Sequence, residues 1–131
     1  MNDDAASWRR ASTPPGADPA PAVLPAGVVP SVEQVQAQLA GAERQLANER
    51  MSQHHPWCRG IAATCRWILG QAAAPVEAPA GAITAGTLAA VAERAEWLLY
   101  HPSQATRPQG YYQGVEYTTY WLTGRNTDPP L

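Results

Sequence analysis

The feature that most constrains the fold is an internal repeat. Residues 57–70 align without gaps on residues 111–124, at an offset of 54 residues. Both segments follow the pattern aromatic-x-x-Gly-aliphatic-x-x-Thr-x-x-Trp-aliphatic-x-Gly. Such self-similarity in a chain of 131 residues predicts two copies of one supersecondary unit. The matching pairs are Trp57 with Tyr111, Gly60 with Gly114, Ile61 with Val115, Thr64 with Thr118, Trp67 with Trp121, Ile68 with Leu122 and Gly70 with Gly124.

The repeated positions share one face of a helix, because they recur three and four residues apart. Gly60 and Gly114 fall in the middle of their predicted helices, where glycine costs about 1 kcal/mol relative to alanine. We therefore expect each to allow close approach of a neighbouring backbone or aromatic ring. Gly70 and Gly124 are expected to end their helices in the left-handed conformation.

The repeated threonines and aromatic residues suggest how the helices pack. Thr64 and Thr118 are expected to donate a hydrogen bond to a carbonyl one turn earlier. The hydrophobic fraction of 45% includes 25 alanines, so the core has few large side chains and must be small and aromatic. The aromatic residues expected to meet near a pseudo-twofold axis are Trp57, Trp67, Tyr111 and Trp121, with Trp97 added by the third helix.

Capping signals and apolar periodicity predict four helices. Ser31 with Gln34 forms a capping-box signature, and Pro56 is suited to the first turn of the next helix. The predicted helices run from residue 31 to about 51, from 55 to 70, from 84 or 87 to 101, and from about 111 to 124. Each repeated segment follows another helix, so the repeating unit is a helical hairpin.

The domain organisation predicted from these signals is a flexible arm, a helical domain and a short tail. Residues 1–30 contain six of the 13 prolines and no periodic apolar pattern. Trp8 is the one residue in them suited to docking, and the alternative is that it is a solvent-exposed aromatic residue of the arm. The helical domain, 31–125, is all-α, with hairpins at 31–70 and 84–124, a linker at 71–83 and a tail at 126–131. The linker is long enough for a domain-swapped homodimer.

Charge and hydropathy exclude several classes of function. A net charge of −2 and a pI near 5.8 give no general attraction to nucleic acid or to an anionic membrane. No apolar run approaches the roughly 18 residues that span a bilayer. No signal-peptide pattern opens the sequence, so we expect a soluble, cytoplasmic protein.

The two cysteines do not form a recognisable metal or disulfide motif. Cys58 and Cys65 fall in one predicted helix, roughly 10 Å apart, so we expect free thiols that pack as small hydrophobic side chains. With His54 and His55 they resemble a zinc cluster, but the ligand spacing is unsuitable. We expect no metal and no cofactor, with His55 capping the second helix instead.

No motif indicates catalysis. A Cys-His nucleophile would need an orienting acid, for which Glu43 and Glu49 are the neighbours in sequence, and nothing else supports it. Phosphate-binding loops, paired carboxylates and Gly-x-Ser-x-Gly are missing from the sequence. We therefore expect a protein that is not an enzyme.

Two arginines keep a nucleic-acid role open. Arg59 and Arg66 lie two turns apart on one flank of the second predicted helix, where they are able to contact phosphates. The alternative is that they pair with carboxylates of the first helix: Glu33, Glu43 or Glu49.

The second hairpin is rich in amphipathic aromatic residues, which often anchor protein interfaces. The alternative is that a small core recruits every aromatic residue available. The predicted interface consists of Trp97, Tyr100, Tyr112, Tyr117 and Tyr120.

The repeated pattern, together with a composition rich in Ala, Arg, Pro and Gly and lacking Lys, resembles small uncharacterised helical proteins of actinobacteria and their phages or mobile elements. The resemblance covers roughly residues 31–125 and implies no activity. The sequence thus predicts a non-enzymatic interaction, structural or adaptor module that self-associates and binds a protein partner. The alternative is a nucleic-acid-binding or regulatory protein of a phage or mobile element.

Overall fold

The computed structural model describes residues 23–131, and all regular structure in this part of the chain is helical. This confirms the all-α prediction. Two short 3-10 helices, Glu49–His54 and Pro102–Gln104, accompany the longer elements. The four α-helices are α1 (Val32–Leu46), α2 (His55–Ile68), α3 (Ala85–Tyr100) and α4 (Gln109–Leu122).

Two capping boxes define the first residues of α1 and α3. The Ser31 hydroxyl accepts the Gln34 backbone N–H at 3.1 Å, while the Gln34 side chain accepts the Ser31 N–H at 2.8 Å. Thr84 and Thr87 make the corresponding pair of bonds at 3.2 and 3.1 Å. Each box satisfies two backbone donors that the first turn leaves unpaired.

The repeated glycines end α2 and α4 in the same way. Gly70 has a φ of 78° and Gly124 a φ of 81°, as the sequence predicts. The residue after each glycine donates its N–H to a carbonyl five positions earlier, Gln71 to Arg66 and Arg125 to Tyr120, both at 2.8 Å. This is the Schellman arrangement, which favours glycine because an L side chain is strained in that conformation.

The prediction that the first helix reaches residue 51 is wrong, because α1 ends at Leu46. The Asn48 side chain accepts the Arg50 N–H at 3.1 Å and caps the following 3-10 helix. Asparagine competes with helical hydrogen bonding in this way, so the chain turns before α2. His55 does not cap α2 through its side chain; its Nε2 lies 3.1 Å from the Asn48 carbonyl oxygen.

The helices pack in the order α1, α2, α4, α3, with α2 against α4 at the centre. The two helices cross at Gly60 and Gly114. A β-carbon at Gly60 would overlap the backbone of Tyr111 and lie 2.9 Å from the Val115 nitrogen, and one at Gly114 would overlap the Trp57 carbonyl. The prediction that these glycines permit close approach of a backbone is confirmed.

The prediction that the four repeated aromatic residues meet near a pseudo-twofold axis is wrong, because glycine backbone forms the contact between α2 and α4 instead. Trp67 and Trp121 are each 7% exposed, yet no ring pair joins any two of the four repeated aromatic residues in the region 23–131. Trp57 contacts the edge of Tyr117 at a centroid distance of 5.5 Å. Trp97 is 38% exposed and adds nothing to the centre. Two helices that cross at glycine are too close for large rings between them.

The two repeated threonines differ in their hydrogen bonds. The Thr64 hydroxyl donates to the Gly60 carbonyl at 2.8 Å, as predicted. The Thr118 hydroxyl is buried and has no partner among the described atoms, which contradicts the prediction; Thr119 donates to Val115 instead, at 2.7 Å. Packing around a helical threonine selects its χ1 rotamer, and only some rotamers reach the preceding carbonyl.

The segments outside the helices are packed. The Val29 N–H donates to the Leu122 carbonyl at 2.8 Å, and Leu24 and Val28 lie against the core. The last residues of the predicted flexible arm therefore belong to the folded part, since they cap the end of α4. The rest of that arm, including Trp8, lies outside the described residues.

The linker and the tail each contact a helix. The Tyr111 hydroxyl donates to the Pro75 carbonyl in the linker at 2.7 Å. The Leu131 N–H donates to the Gln38 side chain at 2.9 Å, and its side chain contacts Gly41. The linker thus lies on the start of α4 and the tail lies along α1.

Candidate functional site

The outer side of α3 carries the most exposed aromatic residues of the described helices. Trp97 is 38% exposed and Tyr100 is 76% exposed, and they lie one turn apart. The His101 ring stacks on Trp97 with centroids 3.9 Å apart, and its Nδ1 donates to the Trp97 carbonyl at 2.7 Å. The Arg94 guanidinium lies 4.6 Å from the centroid of the Trp97 ring. These contacts hold the indole in place, so its exposed part is a preorganised surface.

Opposite charges flank these aromatic residues. At 3.6 residues per turn, Arg94 and Glu96 lie about 160° apart around α3, with Trp97, Glu93 and Tyr100 between them on the solvent side. We call this surface the α3 ridge. Its members are Glu93, Arg94, Glu96, Trp97 and Tyr100.

The acidic flank of the ridge continues onto α4. Burial raises the pKa of Glu116, and the nearby Glu96 charge raises it further, while the Tyr120 hydroxyl, which donates to Glu116 at 3.2 Å, lowers it. Glu96, Tyr100 and Glu116 line one shallow depression there. This side of the ridge therefore presents negative potential.

The basic flank of the ridge borders a cavity of about 310 Å³. We call it the Arg94–Arg107 cavity. The Arg107 guanidinium lies 4.8 Å from the centroid of the Tyr111 ring. Glu77 is 3.4 Å from Arg94, and its side chain is 80% exposed. The lining comes from the linker, α3, the α3–α4 loop and the first turn of α4.

The structure separates the five residues of the predicted interface. Tyr100 and Trp97 are exposed together on the ridge. Tyr112 is 3% exposed, and its hydroxyl accepts the N–H groups of Thr106 and Arg107 at 3.1 Å each, so it holds the α3–α4 loop and is not available to a partner.

The remaining two predicted residues are half-buried on α4. Tyr117 contacts Trp57. Tyr120 lies beneath the Arg125 guanidinium, which is 4.1 Å from the ring centroid. Both rings are engaged with their own chain, and the exposed aromatic surface is therefore on α3.

The two arginines considered for nucleic-acid binding have different environments. Arg66 forms an ion pair with Glu43 at 2.8 Å, as the alternative interpretation predicts. Arg59 is exposed, and no ion pair of Arg59 is present within residues 23–131. The two side chains therefore do not form a shared, unoccupied basic surface.

Both cysteines are buried free thiols. The Cys58 Sγ donates to the Gln45 side chain at 3.3 Å. Burial raises the pKa of Cys65 to about 12, opposed in part by the Arg66 charge, and burial also raises the pKa of Cys58. Thiols of this kind stay protonated at neutral pH and are poor nucleophiles. Over the described range, no group of three or more His, Cys, Asp or Glu side chains is arranged to hold a metal ion.

Sequence reasoning missed the two arginines that line the cavity. Arg94 precedes Trp97 by three residues on a helix, a spacing that places a guanidinium near an indole, so this contact had a local signal. Arg107 follows an irregular loop, and its position depends on the bonds that Tyr112 makes to that loop. No local sequence pattern indicates that Arg107 lines the cavity.

No family model matches the chain, and neither the curated proteins nor the solved structures contain a significant match. None of the helices between residues 23 and 131 combines the length and apolar character needed to cross a membrane.

Proposed function

We propose that the fold consists of two copies of a helical hairpin, residues 31–70 and 84–124, related by a pseudo-twofold axis between Gly60 and Gly114. The reciprocal contacts of these glycines support the proposal, since each faces the backbone of the first residue of the other repeated segment. The matching Schellman bonds after α2 and α4 support it further.

We further propose that the protein is a non-catalytic module that self-associates through the α3 ridge. The observation that carries this proposal is the pair Trp97 and Tyr100, exposed one turn apart on a helix whose opposite face is buried in the core. Exposed tryptophan and tyrosine on a regular element are typical anchors of protein interfaces.

Charge complementarity favours a second copy of the chain as the partner. A twofold axis parallel to α3 places the basic flank of one ridge against the acidic flank of the other. Arg94 of each copy then faces Glu96 of its partner, with the aromatic residues in the middle. Such an interface uses the same surface twice and closes on itself.

The other functions considered have weaker support. For nucleic-acid binding through α2, one of the two arginines is not available, because Arg66 is paired with Glu43. Thiol catalysis is disfavoured by the burial of Cys58 and Cys65 and by their raised pKa values.

The proposal is tested by measuring mass in solution with light scattering and analytical ultracentrifugation. We expect the wild-type chain to dimerise at micromolar concentration and Tyr100→Ser to weaken dimerisation at least about tenfold, as expected for an interface anchor. Arg59→Glu is the matched control, because it reverses the charge of an exposed arginine away from the ridge. A wild-type chain that stays monomeric overturns the proposal.

A charge-reversal pair tests the orientation of the two copies. Arg94→Glu and Glu96→Arg are each expected to yield monomers, because each chain then carries one sign on both flanks of the ridge. Mixing the two variants is expected to yield a heterodimer, since the ridge of one variant is then acidic on both flanks and the ridge of the other is basic on both. Failure to associate on mixing, with both variants folded by circular dichroism, contradicts the parallel arrangement.

A further inference from the structure

Arg94, one of the two arginines that line the Arg94–Arg107 cavity, has a hydrogen-bond donor that its surroundings do not satisfy. The Arg94 Nε is buried and has no hydrogen-bond partner in the described part of the chain. Its terminal nitrogen is 3.4 Å from Glu77, at the outer limit of a hydrogen bond. Buried polar atoms in native proteins are nearly always paired, so an unpaired guanidinium nitrogen requires an explanation.

The two tyrosine hydroxyls of the cavity are already engaged. The Tyr111 hydroxyl donates to Pro75, and the Tyr112 hydroxyl accepts from Thr106 and Arg107. Glu77 is the single carboxylate among the described lining residues, against two guanidinium groups. Two positive charges with one exposed counter-charge favour an anion in the remaining space.

Part of the cavity lining is apolar. Leu98 is 8% exposed, Val76 is packed against the core, and the Tyr111 ring lies beneath Arg107. The volume of about 310 Å³ falls at the lower end of the range for small-molecule sites. A ligand suited to this cavity therefore has a negative group for the arginines and an apolar part that contacts Val76, Leu98 and the Tyr111 ring.

We propose that this cavity binds a small organic carboxylate with an apolar or aromatic body. A planar guanidinium matches the two oxygens of a carboxylate, and Arg94 and Arg107 supply two such groups. A phosphate group also pairs with guanidinium groups, but it has no apolar part to contact Val76, Leu98 and the Tyr111 ring. The site shares Arg94 with the α3 ridge, whereas Arg107 lines the cavity and is not part of the ridge.

Phenylacetate is a suitable probe, and its binding is measured by NMR titration of the full chain. We expect it to shift the Arg Nε–H signals of the cavity and the Trp97 indole signal in a saturable manner at millimolar concentration. Phenylacetamide has the same shape without the charge and is expected not to bind. Inorganic phosphate is expected to bind at least about tenfold more weakly than phenylacetate.

Arg107→Met identifies the site, with Arg125→Met as its matched control. Each variant removes a guanidinium that lies over a tyrosine ring, but only Arg107 lines the cavity. We expect the Kd for phenylacetate to rise at least about tenfold in Arg107→Met, because this variant loses the charged hydrogen bonds to the carboxylate, and to stay unchanged in Arg125→Met.

Four results would overturn the proposal: no binding of phenylacetate to the wild-type chain, equal binding of phenylacetamide, equal binding of phosphate, or an unchanged Kd in a folded Arg107→Met. The comparison of ligands uses the wild-type chain alone, so it decides the question even if Arg107→Met does not fold. The mass of Arg107→Met in solution separates the two proposals, because loss of the ligand site leaves the α3 ridge intact.

Discussion

The repeated segments 57–70 and 111–124 agree where they touch each other and differ where they face the rest of the molecule. At the crossing, both supply a glycine against the backbone of the other. Away from it, α2 faces α1, where Cys58 bonds to Gln45. The matching position in α4 is Tyr112, which holds the loop beside the cavity.

The comparison shows which positions the packing constrains. A close helix crossing admits one residue type, because any β-carbon meets backbone there. A position that faces a loop or a neighbouring helix admits any side chain that fills the space and satisfies its polar atoms. As a result, the exposed aromatic residues and the cavity lie beside α3 and α4, while α2 is covered by α1 and its ion pair.

The largest expected effect comes from the crossing itself. Gly60→Ala and Gly114→Ala should each reduce the free energy of unfolding by about 3 kcal/mol or more, because the new methyl group overlaps backbone that cannot move independently. Chemical denaturation measures both values. If the two positions are equivalent, the two losses should agree within about 1 kcal/mol.

Gly86→Ala is the control for these two variants. Its nearest neighbour is the Thr84 hydroxyl at 3.6 Å, an ordinary contact. We expect this change in α3 to stabilise the protein by about 0.5–1 kcal/mol through its helix propensity. If Gly60→Ala and Gly86→Ala lower the free energy of unfolding by similar amounts, the close backbone contact at the crossing is not what disfavours a side chain at Gly60.

Substitutions at the C-terminal ends of α2 and α4 should lower the stability by smaller and unequal amounts. Gly70→Ala is expected to cost about 1 kcal/mol, the strain of an alanine at positive φ. Gly124→Ala should cost about 2 kcal/mol, because its β-carbon also lies 3.1 Å from the Val29 side chain, whereas no described atom comes within 4 Å of the Gly70 position. Thermal denaturation ranks the two variants; equal losses would mean that residues 24–30 do not pack on α4.

Replacing the two repeated threonines with valine should change the stability in opposite directions. Thr64→Val is expected to destabilise the protein by about 1 kcal/mol, since it removes a hydroxyl bonded to Gly60. Thr118→Val is expected to stabilise it by a similar amount, because the lost hydroxyl is buried without a partner in residues 23–131. A loss of stability in both variants would indicate that Thr118 also forms a hydrogen bond.

The local parts of the fold were accessible from the sequence. The capping box at Ser31 and the left-handed glycines at 70 and 124 were predicted, because residues within one or two turns of each other decide them. Of the capping box at Thr84, only the helix start at residue 84 or 87 was predicted. The end of α1 was missed because Asn48 was not recognised as a cap. Of the candidate site, Trp97 and Tyr100 were identified from the sequence, whereas the cavity was not.

What the sequence by itself determined is the set of helices and the face on which each repeated residue lies, because helical periodicity and capping depend on near neighbours alone. Which partner each face meets was decided by the tertiary structure. The repeated glycines bring α2 and α4 so close that the aromatic residues lie outside the crossing. Tyr112 is buried and Tyr100 exposed because one lies under the α3–α4 loop and the other on the outer side of α3. Contacts between residues far apart in the chain produce that difference, and no local pattern contains them.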